Sequence, residues 1–421
     1  MAWLREGVRQ GLDAAGASLR GRQPQFNRTR MLVGLPLFGT GAGGFDEIRG
    51  QVLDGILSEC GDAVGRHGYD VVIACLHRSD YAALQNRRLE SAIGSPALPD
   101  GLTAQAGRLG GLARDGNLVL FLGAGLSQPA GLPSWSELIG DLAKESHSYA
   151  DKVKELNQIA PTDAASLLEQ DLDSRFHEIL RAKLSGKPHP LGHALLASLR
   201  VAEAITTNFD TLYEQACDRP FDHRLRKLPW QAAEPGQPWL LKMHGDIDTN
   251  RLVFTWKDYL HFDTYWRPLA SMLQAAMMTR HVLFIGFSLK DENFIRLGHD
   301  VGLLLKRMGH SDNVGTVLTL HKDPLRAELW QPYLQFAEMS GPHNADDAAR
   351  VHDIFLDLVA MNAAVGEVSY LLDPRYRFLV GNADSPVLTK LMELGKAVDA
   401  EHDDCWSDVA EFLKRYGYHS F

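Results

Sequence analysis

The spacing of apolar and polar positions changes several times along the chain, and each change predicts an element. Trp3 to Leu19 reads as a helix, and Met31-Leu-Val-Gly-Leu-Pro-Leu-Phe38 is an apolar run of strand length. A helix from Phe45 to His67 and a second strand, Asp70-Val-Val-Ile-Ala-Cys-Leu76, complete a β-α-β pattern. Ser91 to Asp100 contains Gly94, two prolines and small residues, which places a boundary near residue 100. A helix from about Leu102 to Asp115 opens the next segment. Four short runs follow: Leu118-Val-Leu-Phe-Leu122, Ala204-Ile-Thr-Thr207, Trp239-Leu-Leu-Lys-Met243 and His281-Val-Leu-Phe-Ile285. They are too short for helices and mostly separated by helical stretches, as buried strands of a parallel sheet would be.

Between these strands the period turns helical, as in Ala164 to Gln170 and Phe176 to Leu184, which predicts a helical insertion over about 140–199. His352 to Met361 and Val387 to Ala397 again read as helices. The expected fold class is α/β: a Rossmann-like parallel sheet with a helical insertion, preceded by a small α/β segment and followed by a mostly helical C-terminal region. The expected divisions are 1–100, 101–340 and 341–421.

Composition narrows the function classes. At ~150 residues per domain, 421 residues suit two or three domains with ample length for a core. No apolar run approaches the ~18 residues of a membrane span, and the N-terminus lacks a basic segment followed by an apolar one, so the expected location is cytoplasmic. Cys60, Cys75, Cys217 and Cys405 form no C-x-x-C pair, so neither a disulfide framework nor a structural zinc is expected. With 43 basic and 53 acidic residues the net charge of −10 offers no general affinity for nucleic acid, so an anionic ligand must be bound locally.

The candidate chemistry lies at the ends of the four strands. Leu118 to Leu122 runs into Gly123-Ala-Gly-Leu-Ser127, where glycines permit close approach and a following helix contributes a favourable dipole for phosphate. The spacing is neither G-x-G-x-x-G nor G-K-[ST], which disfavours ordinary dehydrogenases and P-loop NTPases. Thr206-Thr-Asn-Phe-Asp210 puts Asn208 at a strand's carboxyl end, where open α/β sheets bind ligands; Asn208 or Asp210 could equally cap the next helix. Lys242-Met-His-Gly-Asp-Ile247 puts His244 after a third strand, with an ordinary pKa near ~6.5 suited to general-base work. Gly286-Phe-Ser-Leu-Lys-Asp-Glu-Asn293 ends the fourth, with Gly286 opening space and Ser288 supplying a hydroxyl, or simply a helix cap. His189 and His193, four apart, lack the intervening glutamate of a zinc protease helix and a clear third ligand, so they read as structural.

Taken in this order, these residues resemble the sirtuin fold, and more closely the prokaryotic SIR2-like domains linked to phage defence, over roughly residues 103–300. The resemblance implies NAD binding by Gly123, Ala124, Gly125 and Ser127, service of the nicotinamide ribose by Asn208, Asp210 and His244, and an adenosine side at Gly286 and Ser288. The chain departs from protein-deacylating sirtuins: their paired zinc cysteines are absent, and Pro133-Ser-Trp-Ser136 replaces their Phe-Arg stretch.

In the N-terminal segment, Leu35 to Phe45 with its run Gly39-Thr-Gly-Ala-Gly-Gly44 resembles the later half of a macro domain, whose glycine loop holds the phosphates of ADP-ribose. Ligand binding there and simple packing stay open. The resemblance implies an NAD glycohydrolase that releases nicotinamide and ADP-ribose, with NAD as substrate and no membrane or general nucleic-acid partner. Asn208, His244 and Asp210 are its expected catalytic residues, and antiphage defence by NAD depletion is its expected setting. An ADP-ribosyltransferase or deacylase and a catalytically idle sensor of NAD or ADP-ribose are the alternatives. An activating partner, a nucleotide signal and assembly into a homo-oligomer are the expected routes of control.

Overall fold

The computed structural model describes residues 1–421 except 26–27, 41–43, 95–97, 100, 219–224, 250, 310–312, 332, 342–344, 382–384, 402–403 and 420–421. The chain falls into two compact units, one formed by Met1–Leu98 with Ala364–Phe421, the other by Pro99–Ala363.

In the first unit, β1 (Leu32–Pro36) and β2 (Asp70–Ala74) pair in parallel, connected by the helix Arg49–His67. The helix Ala2–Leu19 buries Leu4, Val8 and Leu12, a stripe four residues apart, against Val52, Ile56 and Cys60 of that connecting helix. Its polar core is built around Arg49, whose guanidinium grips Asp80 through two bonds of 2.7 and 2.8 Å. The Tyr376 hydroxyl donates to the same carboxylate at 2.7 Å, and Arg49 also donates to the Thr40 carbonyl. All three side chains are buried, so each charge is paired and hydrogen-bonded, as burial demands. The glycine run 39–44 follows β1, but its positions 41–43 lie outside the described residues.

The second unit is a seven-stranded, wholly parallel sheet flanked by helices. Its strands are β3 (Leu118–Leu122), β4 (Glu203–Thr206), β5 (Arg226–Leu228), β6 (Trp239–Lys242), β9 (His281–Ile285), β10 (Gly315–Thr319) and β11 (Leu334–Glu338), with a separate antiparallel hairpin of β7 (Gly245–Asp246) and β8 (Arg251–Leu252). The spatial order is β11-β10-β9-β3-β4-β6-β5. The connections therefore run outward in opposite directions from β3, which makes the carboxyl end of that strand a topological switch point, the place where such sheets accept ligands. Every residue of β3 is buried, as expected of a central strand covered on both faces.

The four strands predicted from apolar runs are all present, and the sheet has three more. β5 is three residues long with two cations, β11 is only partly buried, and β10 opens on Gly315. A Cβ at Gly315 would sit 2.4 Å from the Val282 carbonyl, so the glycine marks close strand approach rather than a turn. The predicted helical insertion is five helices, Trp135–Glu145, Val153–Leu156, Pro161–Leu172, Arg175–Leu184 and Leu191–Ser198. A core of Leu138, Leu142, Leu156, Leu168, Phe176 and Leu180 holds the first four together, and Phe209 and Phe254 enter that same core. The insertion thus buttresses the loops that follow β4 and the hairpin.

Candidate functional site

Register brings the strand ends level. Leu122 pairs with both Thr206 and Ile285, and Thr206 pairs with Lys242, so the loops after β3, β4, β6 and β9 leave one edge together.

After β3, the Gly123 amide donates to the Ile285 carbonyl at 2.9 Å and the Gly125 amide to the Gly286 carbonyl at 2.8 Å. The glycines are required here for backbone packing. A Cβ at Gly123 would lie 2.5 Å from the Gly286 oxygen, and one at Gly125 2.9 Å from it. Gly286 itself has φ +64° and its Cβ would strike the Leu126 nitrogen at 2.2 Å. Three glycines seal the β3 and β9 turns against each other, while Ala124 and Gly125 face solvent.

Beneath that seal lies a buried polar cluster. Ser127, 2% exposed, donates to Asp210 Oδ2 at 2.8 Å and accepts from Asn208 Nδ2 at 3.3 Å. Asp210 Oδ1 accepts the Leu212 amide, and the Asn208 amide donates to Thr206 Oγ1, which in turn donates to the Leu122 carbonyl. Burial raises the Asp210 pKa, and its hydrogen bonds oppose the shift. Asn208 is fixed by its amide and its Nδ2, yet its Oδ1 is buried with no partner among the described residues. A buried carboxamide oxygen left unpaired costs about 1–3 kcal/mol, so it is a group awaiting a donor.

Lys242, wholly buried, locks this loop to β6. Its Nζ donates to the Asp210 carbonyl at 2.7 Å and to Glu214 Oε1 at 2.8 Å, with Asp246 Oδ2 at 3.4 Å. Burial works against the charge, but Glu214 and Asp246 outweigh it and hold the lysine pKa above its ordinary value.

His244, 4% exposed, follows Lys242 by two residues, and its carbonyl accepts the Val253 amide from the hairpin at 2.7 Å. Gly245 turns the chain there at φ +100°, and a Cβ would overlap the Arg251 carbonyl. His244 Nε2 is buried without a hydrogen bond and faces Asp291 Oδ2 at 3.6 Å. Burial pulls the imidazole pKa down, and Asp291 opposes it.

The structure therefore brings Ser127, Asn208 and Asp210 into one hydrogen-bonded group and packs Gly123 and Gly125 on Gly286. Ser288 is exposed on the turn beyond. Sequence reasoning missed Lys242, Asp291 and Tyr259. Asp291 stood within the stretch singled out after β9, but only Gly286 and Ser288 were given roles there. Tyr259 carries no motif. Among the described residues no group of three or more His, Cys, Asp or Glu is arranged to hold a metal ion, and no helix is long and apolar enough to cross a membrane.

Residues 202–334 match the SIR2-like domain model. The chain is similar to the NAD(+) hydrolase ThsA of Acinetobacter baumannii (strain 532279), 30% identical over 186 residues, 42% of this chain and 38% of that protein. It is equally similar to NAD(+) hydrolase ThsA of Enterococcus faecium, 30% over 203 residues, 45% of this chain and 41% of that one. Defense-associated sirtuin 2 of Bacillus subtilis is 26% identical over 212 residues, 47% of this chain and 20% of its own length. The chain spans about two-fifths of the length of these two ThsA proteins.

Proposed function

We propose that this SIR2-like chain is an NAD glycohydrolase, cleaving NAD to nicotinamide and ADP-ribose. The observation that carries the reading is the buried Oδ1 of Asn208, unpartnered among the described residues, on the loop after β4 beside the switch point of the sheet and next to the loop bearing His244. An acceptor held by its own amide hydrogen bonds, with its lone pairs free, suits a ribose hydroxyl or an attacking water. The likeness to ThsA proteins supplies the substrate.

Cleavage of the N-glycosidic bond builds positive charge on the ribose, as in glycoside hydrolysis. Nicotinamide leaves with the bonding electron pair and becomes neutral, so no acid is needed. Water adds to the ribosyl carbon, and His244 takes its proton before releasing it to solvent. Asn208 orients the water and the ribose, and Asp210 with Ser127 fixes the carboxamide. Ala124 and Gly125, both exposed, border the pyrophosphate, and Gly286 with Ser288 borders the adenosine side. Binding energy from that remote half is used to hold the nicotinamide end in a cleavable geometry.

Uncontrolled NAD loss would harm the producing cell. We therefore assign the activity to triggered antiphage defence in the cytoplasm, released by a partner, a nucleotide or self-assembly, with the second unit as the catalytic part. The test is incubation of the purified chain with NAD, with and without phage-infected cell extract. Equimolar nicotinamide and free ADP-ribose is the expected result. ADP-ribose transferred to protein, or NAD bound but left intact under both conditions, would overturn the proposal.

A further inference from the structure

Asp291 is the N-cap of the helix Glu292–Arg307, and its two carboxylate oxygens have separate partners. Oδ1 accepts the Phe294 amide at 2.8 Å, which completes the cap. Oδ2 accepts the Tyr259 hydroxyl at 3.1 Å and faces His244 Nε2 at 3.6 Å. Tyr259 and Phe262, from the helix Trp256–Tyr265, set their rings edge-on to the imidazole, with centroids 5.7 and 6.1 Å away. Among the described residues, the titratable groups around the imidazole are Asp291 and Tyr259, with Glu292 and Asp258 behind the phenol.

A cap needs one acceptor, and asparagine or serine supplies it as well as aspartate does. What aspartate adds is a charge, and here that charge is aimed at a buried imidazole. A carboxylate facing Nε2 favours the proton on that nitrogen and leaves the Nδ1 lone pair as the base. The phenol donates to the carboxylate and keeps it turned toward the ring, and burial together with Asp291 pushes the tyrosine pKa up, so the phenol keeps its proton.

Resting on the NAD-hydrolysis reading, we propose that Asp291 and Tyr259 are positioning residues for His244, fixing its Nε2–H tautomer so that Nδ1 accepts the proton from the attacking water. At 3.6 Å the resting contact is an ion-pair distance; it shortens when the imidazole becomes an imidazolium, which is the state the carboxylate stabilises.

The test uses Asp291→Asn, which retains the cap and removes the charge, together with Tyr259→Phe. Histidine-labelled full-length protein is titrated by ¹⁵N NMR, with His244 assigned through His244→Gln, and NAD cleavage is followed against pH. The wild-type imidazole is expected as the Nε2–H tautomer. Asp291→Asn is expected to lower its protonation midpoint, move the acid limb of the rate profile to lower pH, and reduce kcat ~10²-fold with KM within ~3-fold. Tyr259→Phe should reduce kcat by about 10-fold or less. An Nδ1–H tautomer in the wild type, or an Asp291→Asn protein with unchanged midpoint and kcat, overturns the assignment. A wild type that leaves NAD intact both with and without phage-infected cell extract sinks the glycohydrolase reading, while the titration in the same samples still decides the positioning pair.

Discussion

Asn208 and His244 illustrate how much one unpaired atom says about a residue. Both are buried, and each keeps one polar atom without a hydrogen bond, so replacing either removes a desolvated group as well as a proposed catalytic one. Asn208→Ala and His244→Ala should therefore lower NAD turnover by at least ~10²-fold while melting within a few degrees of the wild type. Circular dichroism alongside nicotinamide release checks both halves, and full turnover in either variant would remove that residue from the mechanism. The glycines call for a second comparison. Gly286→Ala must move the Leu126 backbone, whereas Gly131, with φ +78° and open space around its missing Cβ, pays only the conformational cost of about 1 kcal/mol. Thermal melts should show Gly286→Ala losing several times the stability lost by Gly131→Ala. The positions of these glycines were legible in the sequence. Their packing role was not, because it depends on which strand lies next to β3. Asp291 drew no role from the sequence for the same reason: its second oxygen acquires meaning from a histidine 47 residues earlier.

Elements were legible where a strand is buried on both faces. β3 is apolar throughout, β4, β6 and β9 each hold an apolar stretch inside them (Ala204-Ile205, Trp239-Leu-Leu241 and Val282-Leu-Phe-Ile285), and the loops after these four also carry the proposed site. β5, β10 and β11 lie at or near the ends of the sheet, where partial exposure or close backbone approach replaces apolar side chains with Arg226, Lys227, Gly315 and Gln335 and erases the signal. The helix Trp135–Glu145 begins with a capping box that the sequence spells out: Glu137 accepts the Ser134 amide at 2.8 Å, and Ser134 Oγ accepts the Glu137 amide at 3.4 Å. Ser134→Ala should cost about 1 kcal/mol, read as a lower urea midpoint with an unchanged m-value. A changed m-value would instead mean that the whole insertion had loosened.

For the molecule as a whole, long-range pairing and buried ionisable groups matter most. Residues 364–421 join the N-terminal segment through bonds such as Tyr376 to Asp80 and Arg78 to Glu367, separated by nearly 300 positions, which no local pattern can announce. In the other unit, His193 is buried in the helix Leu191–Ser198, and burial, reinforced by His189, pulls its pKa down to about 3. The folded state therefore keeps this imidazole neutral while the unfolded chain protonates near pH ~6.5. Its stabilising effect is full above that pH and is lost as pH falls toward 3, by ~1.4 kcal/mol per unit or ~2 kcal/mol at pH 5. Urea denaturation at pH 7.5 and pH 5 should show a smaller pH difference in His193→Gln than in the wild type; an identical difference would place the acid sensitivity elsewhere. The outward-running order of the sheet has one more consequence. The turn after β3 closes on a glycine more than 160 positions later, and the imidazole meets its carboxylate later still. A nascent chain on the ribosome cannot assemble this centre until residue 291 has emerged, so a product released before that point lacks the imidazole–carboxylate pair.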